Sequence, residues 1–161
     1  MRAPACFLLL LSCLAAGCGP TVDLAKTLHV QDVSTGWFDA GIVEGKAKLV
    51  PSITFKLANG SDQKLAVLQV NALFRRVSEP NAEWGSAFIT AAGSEGAAPG
   101  ATIGPFTIRS DRGYTGTDQT RDEMLHNRQF VDAKVDLFAK YGPTQWTKIG
   151  EYTVERRLLV K

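Results

Sequence analysis

Ser52-Ile-Thr-Phe-Lys-Leu57 alternates apolar and polar side chains without a break. In an extended chain Ile53, Phe55 and Leu57 point one way, and Ser52, Thr54 and Lys56 the other. A period of two marks a strand with one buried face; a helix would repeat its apolar positions at three and four. Asn59-Gly60-Ser61-Asp62 follows, made of residues that favour turns and tolerate positive φ. Leu65 to Phe74 is then apolar on both faces, as in a strand central to its sheet. The spacing predicts a hairpin over 52–74.

Working outward, the same period recurs. Val30 to Phe38 reads as a first strand, and Ile42-Val43 and Leu49-Val50 bracket a Gly-rich link. Trp84 to Thr90 is a weaker strand. Ala91 to Gly100, rich in Gly, Ala and Ser, reads as an exposed loop, and Ile103 to Ile108 returns to strand. Val131, Ala133, Val135, Leu137 and Ala139 alternate with Asp132, Lys134, Asp136, Phe138 and Lys140, the cleanest strand in the chain. Tyr141-Gly-Pro-Thr144 is a turn, and Trp146 to Val154 pairs back as the last hairpin arm, with room to run on to Val160. The one helical signal is Thr120-Arg-Asp-Glu-Met-Leu-His126, where Thr120 and Glu123 have capping-box spacing. About seven short strands, with at most a short helix near 120–126, predict an all-β fold: an immunoglobulin-like antiparallel β-sandwich over residues 30–161.

The three cysteines, Cys6, Cys13 and Cys18, all fall in the first 18 residues. A disulfide framework is excluded for the rest of the chain, and the spacings do not fit a zinc site. Met1-Arg2 is a short positive start, Ala5 to Leu14 an apolar run, and Ala15-Ala16-Gly17 a set of small residues: the layout of a secretory signal peptide. The apolar run is shorter than the roughly 18 residues a membrane-spanning helix needs. Leu14-Ala-Ala-Gly-Cys18 resembles the lipobox of bacterial lipoproteins. That resemblance implies cleavage before Cys18 and lipidation of its thiol. A second register, Leu10-Leu-Ser-Cys13, leaves a shorter apolar run and is the less favoured one. The expected organisation is a signal peptide over 1–17, a lipidated tether over 18–29 and a sandwich domain over 30–161. Stable anchoring takes two or more acyl chains.

A second resemblance rests on Ile53-Thr-Phe-Lys-Leu-Ala-Asn59-Gly-Ser-Asp-Gln-Lys-Leu65-Ala-Val-Leu-Gln-Val70. This strand, Asn, polar turn and strand resemble the core of FxLYD-type and late-embryogenesis-abundant-like domains, as does Pro99-Gly100 before a strand. The likeness spans residues 30–155 in arrangement. It implies an immunoglobulin-like sandwich and no catalytic residue.

Charge is near balance, with 18 Lys and Arg against 16 Asp and Glu, so a nucleic-acid partner is not expected. The doublets Arg75–Arg76 and Arg156–Arg157 read as solvated, since neighbouring strand residues face opposite ways. His29 and His126 have no second ligand at metal spacing, so no metal and no cofactor is expected. Serines lack a nucleophile-elbow setting, and Gly93-Ser-Glu-Gly96 lacks the lysine of a phosphate loop. Asp132 and Asp136 would stand about 13 Å apart along a strand, too far for a glycosidase pair, and read as part of a solvated charged face. Aromatics such as Trp37, Phe55, Phe74, Trp84 and Phe130 lie in strand patterns and read as core. Tyr114, in Asp111-Arg-Gly-Tyr-Thr-Gly116, sits in a polar loop and with Arg112 forms the candidate partner-binding loop. The expectation is a non-enzymatic, membrane-anchored binding or accessory module of the bacterial cell envelope. It would face the periplasm, on the outer membrane, with an envelope protein or the cell wall as partner. A carrier of an apolar ligand and an envelope hydrolase are the alternatives.

Overall fold

The structure, a computed structural model, describes residues 21–159. In chain order its elements are α1 (Leu24–Thr27), β1 (Leu28–Val43), β2 (Lys46–Asn59), β3 (Leu68–Arg76), β4 (Gly85–Ala92), β5 (Thr102–Arg109), β6 (Tyr114–Gly116), α2 (Arg121–His126), β7 (Ala133–Tyr141), β8 (Thr147–Thr153) and β9 (Leu158–Leu159). One sheet has the order β5-β2-β1-β9, with β6 also on β2; the other runs β4-β3-β7-β8. The chain crosses between sheets after β2, β4, β6 and β8. This is the Greek-key arrangement of an immunoglobulin-like sandwich, as the strand pattern predicts. All pairings are antiparallel except β1 with β9, which is parallel. β6 and β9, the strands beyond the predicted seven, span three and two residues, too few to show a period.

The core is what alternation requires. Ile53, Phe55 and Leu57 of β2 are fully buried on one sheet, and Val70, Ala72 and Phe74 of β3, with their register partners Ala139, Leu137 and Val135 of β7, are fully buried on the other. Burying one such large side chain contributes about 1.5–3 kcal/mol. Trp37 of β1 is the largest fully buried residue; its ring meets Phe130 edge-on at 4.5 Å, and Phe130 in turn meets Tyr114 at 4.9 Å. α2 caps this cluster with Met124 and Leu125. It begins at the expected capping box: Thr120 Oγ1 accepts the Glu123 N–H at 3.2 Å, and Glu123 Oε2 accepts the Thr120 N–H at 2.7 Å.

Several expectations need correction. The hairpin over 52–74 does not form, because β2 already has β1 and β5 on its two sides, and β3 lies in the other sheet. Residues 60–67 are a crossing, pinned where Leu65 exchanges backbone hydrogen bonds with Ala97, both 3.0 Å. Ala97 and Leu65 are buried, so the segment 91–100 is not wholly an exposed loop. The last arm does not continue in one sheet: after β8 the chain changes sheets, and Arg157 ties β9 to β1 by donating to Thr35 O at 2.8 Å and Ser34 Oγ at 2.7 Å. Residues 24–29, read as tether, are folded. Leu24 and Leu28 are in the core, and the Val22 N–H donates to Tyr141 Oη at 2.7 Å. The alternation that marked the strands could not register a short helix whose one buried face is a single leucine.

The charged face of β7 is not simply solvated either. Asp136 is only 4% exposed, with Arg75 Nε at 3.0 Å and Lys148 Nζ at 2.9 Å. Asp132 takes both forks of Arg156, at 2.6 and 2.9 Å, and this bridge holds its carboxyl below the usual carboxylate range. Arg156 also donates to the carbonyls of Leu125 and Phe130, fastening α2 to the segment that leads into β7. These two arginines, taken as solvated in the sequence, are structural clamps.

Candidate functional site

β1 gives the sandwich two ends. Residues 21–28, the crossing at 60–67 and the turn at 142–144 gather at one: Gly60 N–H donates to Thr27 O at 2.8 Å, and Gly142 N–H to Ala66 O at 3.2 Å. The β1–β2 turn at Glu44–Gly45 marks the other, and the 16 residues of β1 separate the two by about 45–50 Å of strand.

At that far end lies a groove of about 520 Å³, bordered by Val43, Lys46, Lys48, Arg76, Trp84 and Arg112. Lys46 and Lys48 are alternate residues of β2 and so share a face. Arg76 closes β3, and Arg112 comes from the β5–β6 connection. That connection lies flat because two neighbours are glycine. A Cβ at Gly113 would collide with the Leu49 carbonyl oxygen, and one at Gly85 with Ser110 Oγ. Ser110 Oγ accepts the Arg112 N–H at 3.1 Å, and Asp111 Oδ1 accepts the Ser86 N–H at 2.9 Å, so Arg112 is presented by a braced loop. Lys48 Nζ donates to Asp111 O at 3.3 Å. Trp84 is half-buried; the Arg76 guanidinium stands 5.3 Å from its ring and Trp37 6.1 Å.

The groove's electrostatics are cationic. Glu79 pairs with Arg76 at 3.2 Å. Lys46, Lys48 and Arg112 form no ion pair with any carboxylate among the described residues, and Glu44 is the acid lining the groove. Arg76 Nε is shut off from solvent and has no acceptor among the described residues. Such a wall attracts oxyanions through several fixed positive charges at once.

Of the two residues of the candidate partner-binding loop, Arg112 lines this groove. Tyr114 does not: it lies in β6 opposite Leu49, half-buried, with its ring on Phe130. Cys18 and the signal segment 1–17 lie outside the described residues. His29 is exposed on β1, and His126 is exposed on α2, with Nδ1 2.9 Å from Asp122 O. No group of three or more His, Cys, Asp or Glu is placed to hold a metal among the described residues. Trp84, read as a core aromatic at the start of a strand, is only half-buried and precedes β4, so its ring is shared between the core and the groove. Lys46 and Lys48 carried no signal in the sequence, since two lysines in a Gly-flanked stretch look like any solvated turn. No protein-family model, no curated protein and no solved structure matches this chain.

Proposed function

We propose that the protein is a lipid-anchored binding module of the bacterial cell envelope, non-enzymatic, with the end of the sandwich farthest from the anchor as its working end. The signal peptide over 1–17 would be removed and Cys18 lipidated, leaving the domain on a membrane, the outer one in this reading, and facing the periplasm. The observation that carries this reading is the polarity of the molecule. Val22 and Leu24 are docked at one end, and the stretch from Cys18 to Val22 reaches at most about 14 Å, so an anchor there would hold that end close to the bilayer. The cationic groove is at the opposite end and would project away from the membrane. Among the described residues no helix is long and apolar enough to cross a membrane. A carrier of apolar ligands would need room between the sheets, and that space is filled by Trp37, Phe55, Phe74 and Leu137.

The test is direct. Cys18→Ala should abolish fatty-acid labelling and release the protein from the membrane fraction. Labelling retained on Cys13 would overturn the choice of Cys18 as the lipidated residue, and an unmodified thiol at the front of the exported product would overturn the anchor.

A further inference from the structure

We infer that the far-end groove binds an acidic peptide segment with apolar residues interleaved, carried by a protein of the envelope. This deepens the binding-module reading and rests on it for where the groove is presented.

The anionic character of the ligand follows from the wall. Lys46, Lys48 and Arg112 converge from two separate segments, and Arg76 adds a fourth cation with its Nε sealed and unmatched. Glu44 and Glu79 offset two of these charges, which leaves the groove positive. Converging like charges repel one another, and a ligand carboxylate placed among them relieves that repulsion.

The peptide character follows from the rim. Val43 borders the groove at 40% exposure, on the face of the β1–β2 hairpin that carries Lys46 and Lys48. A bare aliphatic side chain set against a cationic wall matches a peptide that carries apolar residues among its carboxylates. An acidic glycan would set hydroxyls against it and gain little. Trp84 already meets Arg76 and Trp37, which leaves less of its ring for a sugar to stack on.

The experiment uses the purified full chain and fluorescence anisotropy with a labelled synthetic peptide alternating glutamate and leucine. A lysine–leucine peptide and heparin serve as counterparts. The acidic peptide should bind, the basic one should not, and binding should weaken as salt rises from about 0.1 M to about 1 M, where the screening length falls from roughly 10 Å to roughly 3 Å. Lys46→Glu with Lys48→Glu should weaken binding about tenfold or more, and the milder Lys46→Gln with Lys48→Gln should weaken it less while circular dichroism stays unchanged. Val43→Ser should weaken peptide binding about threefold and leave heparin unaffected. Lys64→Glu, at the opposite end, should have no effect. The inference is overturned if Lys64→Glu matters as much as the groove reversals, if both peptides bind alike, or if heparin binds and the acidic peptide does not. A protein that labels at Cys18 yet ignores the peptide sinks this inference alone; one that binds the peptide without a lipid sinks the anchor alone.

Discussion

Replacing Asn59 tests whether one buried side chain holds the crossing between the sheets. Asn59 ends β2, and its Nδ2 donates to the carbonyl oxygens of Gln63, Ala97 and Ala98 at 2.8, 3.0 and 3.2 Å. Its Oδ1 accepts from Ser61 N–H at 3.0 Å and Ser61 Oγ at 2.6 Å. Two amide hydrogens and two accepted bonds, at about 1 kcal/mol net apiece, set a ceiling of about 4 kcal/mol on what alanine removes. The cost falls below that ceiling because each carbonyl keeps another donor. Ala97 O keeps the Leu65 N–H, Ala98 O the Ala101 N–H, and Gln63 O the Ser61 hydroxyl. Asn59→Ala is therefore expected to lower the free energy of unfolding by about 2–3 kcal/mol. Asn59→Asp keeps the shape and the bonds to Ser61, but it turns an acceptor-only oxygen towards three carbonyls, so at pH 7 it should cost more than alanine. Protonation restores a donor. The folded state then binds that proton more tightly than the unfolded state, so the aspartate variant should regain stability, relative to the parent, as pH falls below about 5. The alanine variant should show no such recovery. Urea denaturation followed by tryptophan fluorescence at pH 7 and pH 4.5 gives both differences. An alanine variant within about 0.5 kcal/mol of the parent, or an aspartate variant more stable than alanine at pH 7, would refute the reasoning.

Three further outcomes follow from the packing and the charges. Leu28→Ala should cost about 2–4 kcal/mol in urea denaturation, because Leu28 is buried in the core; a cost near zero would return residues 24–29 to the tether. Lys148, with Lys134, holds the Glu151 carboxyl down to about 2 from an ordinary 4.5, so the unfolded chain takes up this proton first. Stability should therefore be intact above about pH 4.5 and decline towards pH 2, and Glu151→Gln should flatten that part of the urea-midpoint profile. Asp136→Ala leaves Arg75 and Lys148 without their shared carboxylate and should cost about 1–3 kcal/mol, the lower end reflecting the exposure of Lys148; a variant as stable as the parent would mean that the pair is idle.

Strand identity and facing were legible in the sequence because they depend on neighbours two residues away. Ile53-x-Phe55-x-Leu57 and Val135-x-Leu137-x-Ala139 announce their buried faces whatever they pair with. The helix at Arg121–His126 was legible for the same local reason, its cap lying three residues from its partner. Sheet membership was not. Asn59-Gly-Ser-Asp62 looks like a hairpin turn, and it becomes a crossing because β2 has no free side and the Asn59 side chain reaches Ala97 and Ala98. Nor could the chain order show that Asp136 would meet Arg75 and Lys148, or that Tyr114 would turn its ring onto Phe130.

The sequence by itself determined the all-β architecture and the alternating core positions of the strands, since each rests on a short contiguous pattern. Only the tertiary structure decided which strands share a sheet, and that Lys46, Lys48, Arg76 and Arg112 meet around Trp84 at the end opposite Val22. Those residues are brought together by the long-range pairing of β2 with β6 and by the packing of the β3–β4 hairpin against that edge, and a charge pattern spread over such separations has no period to betray it.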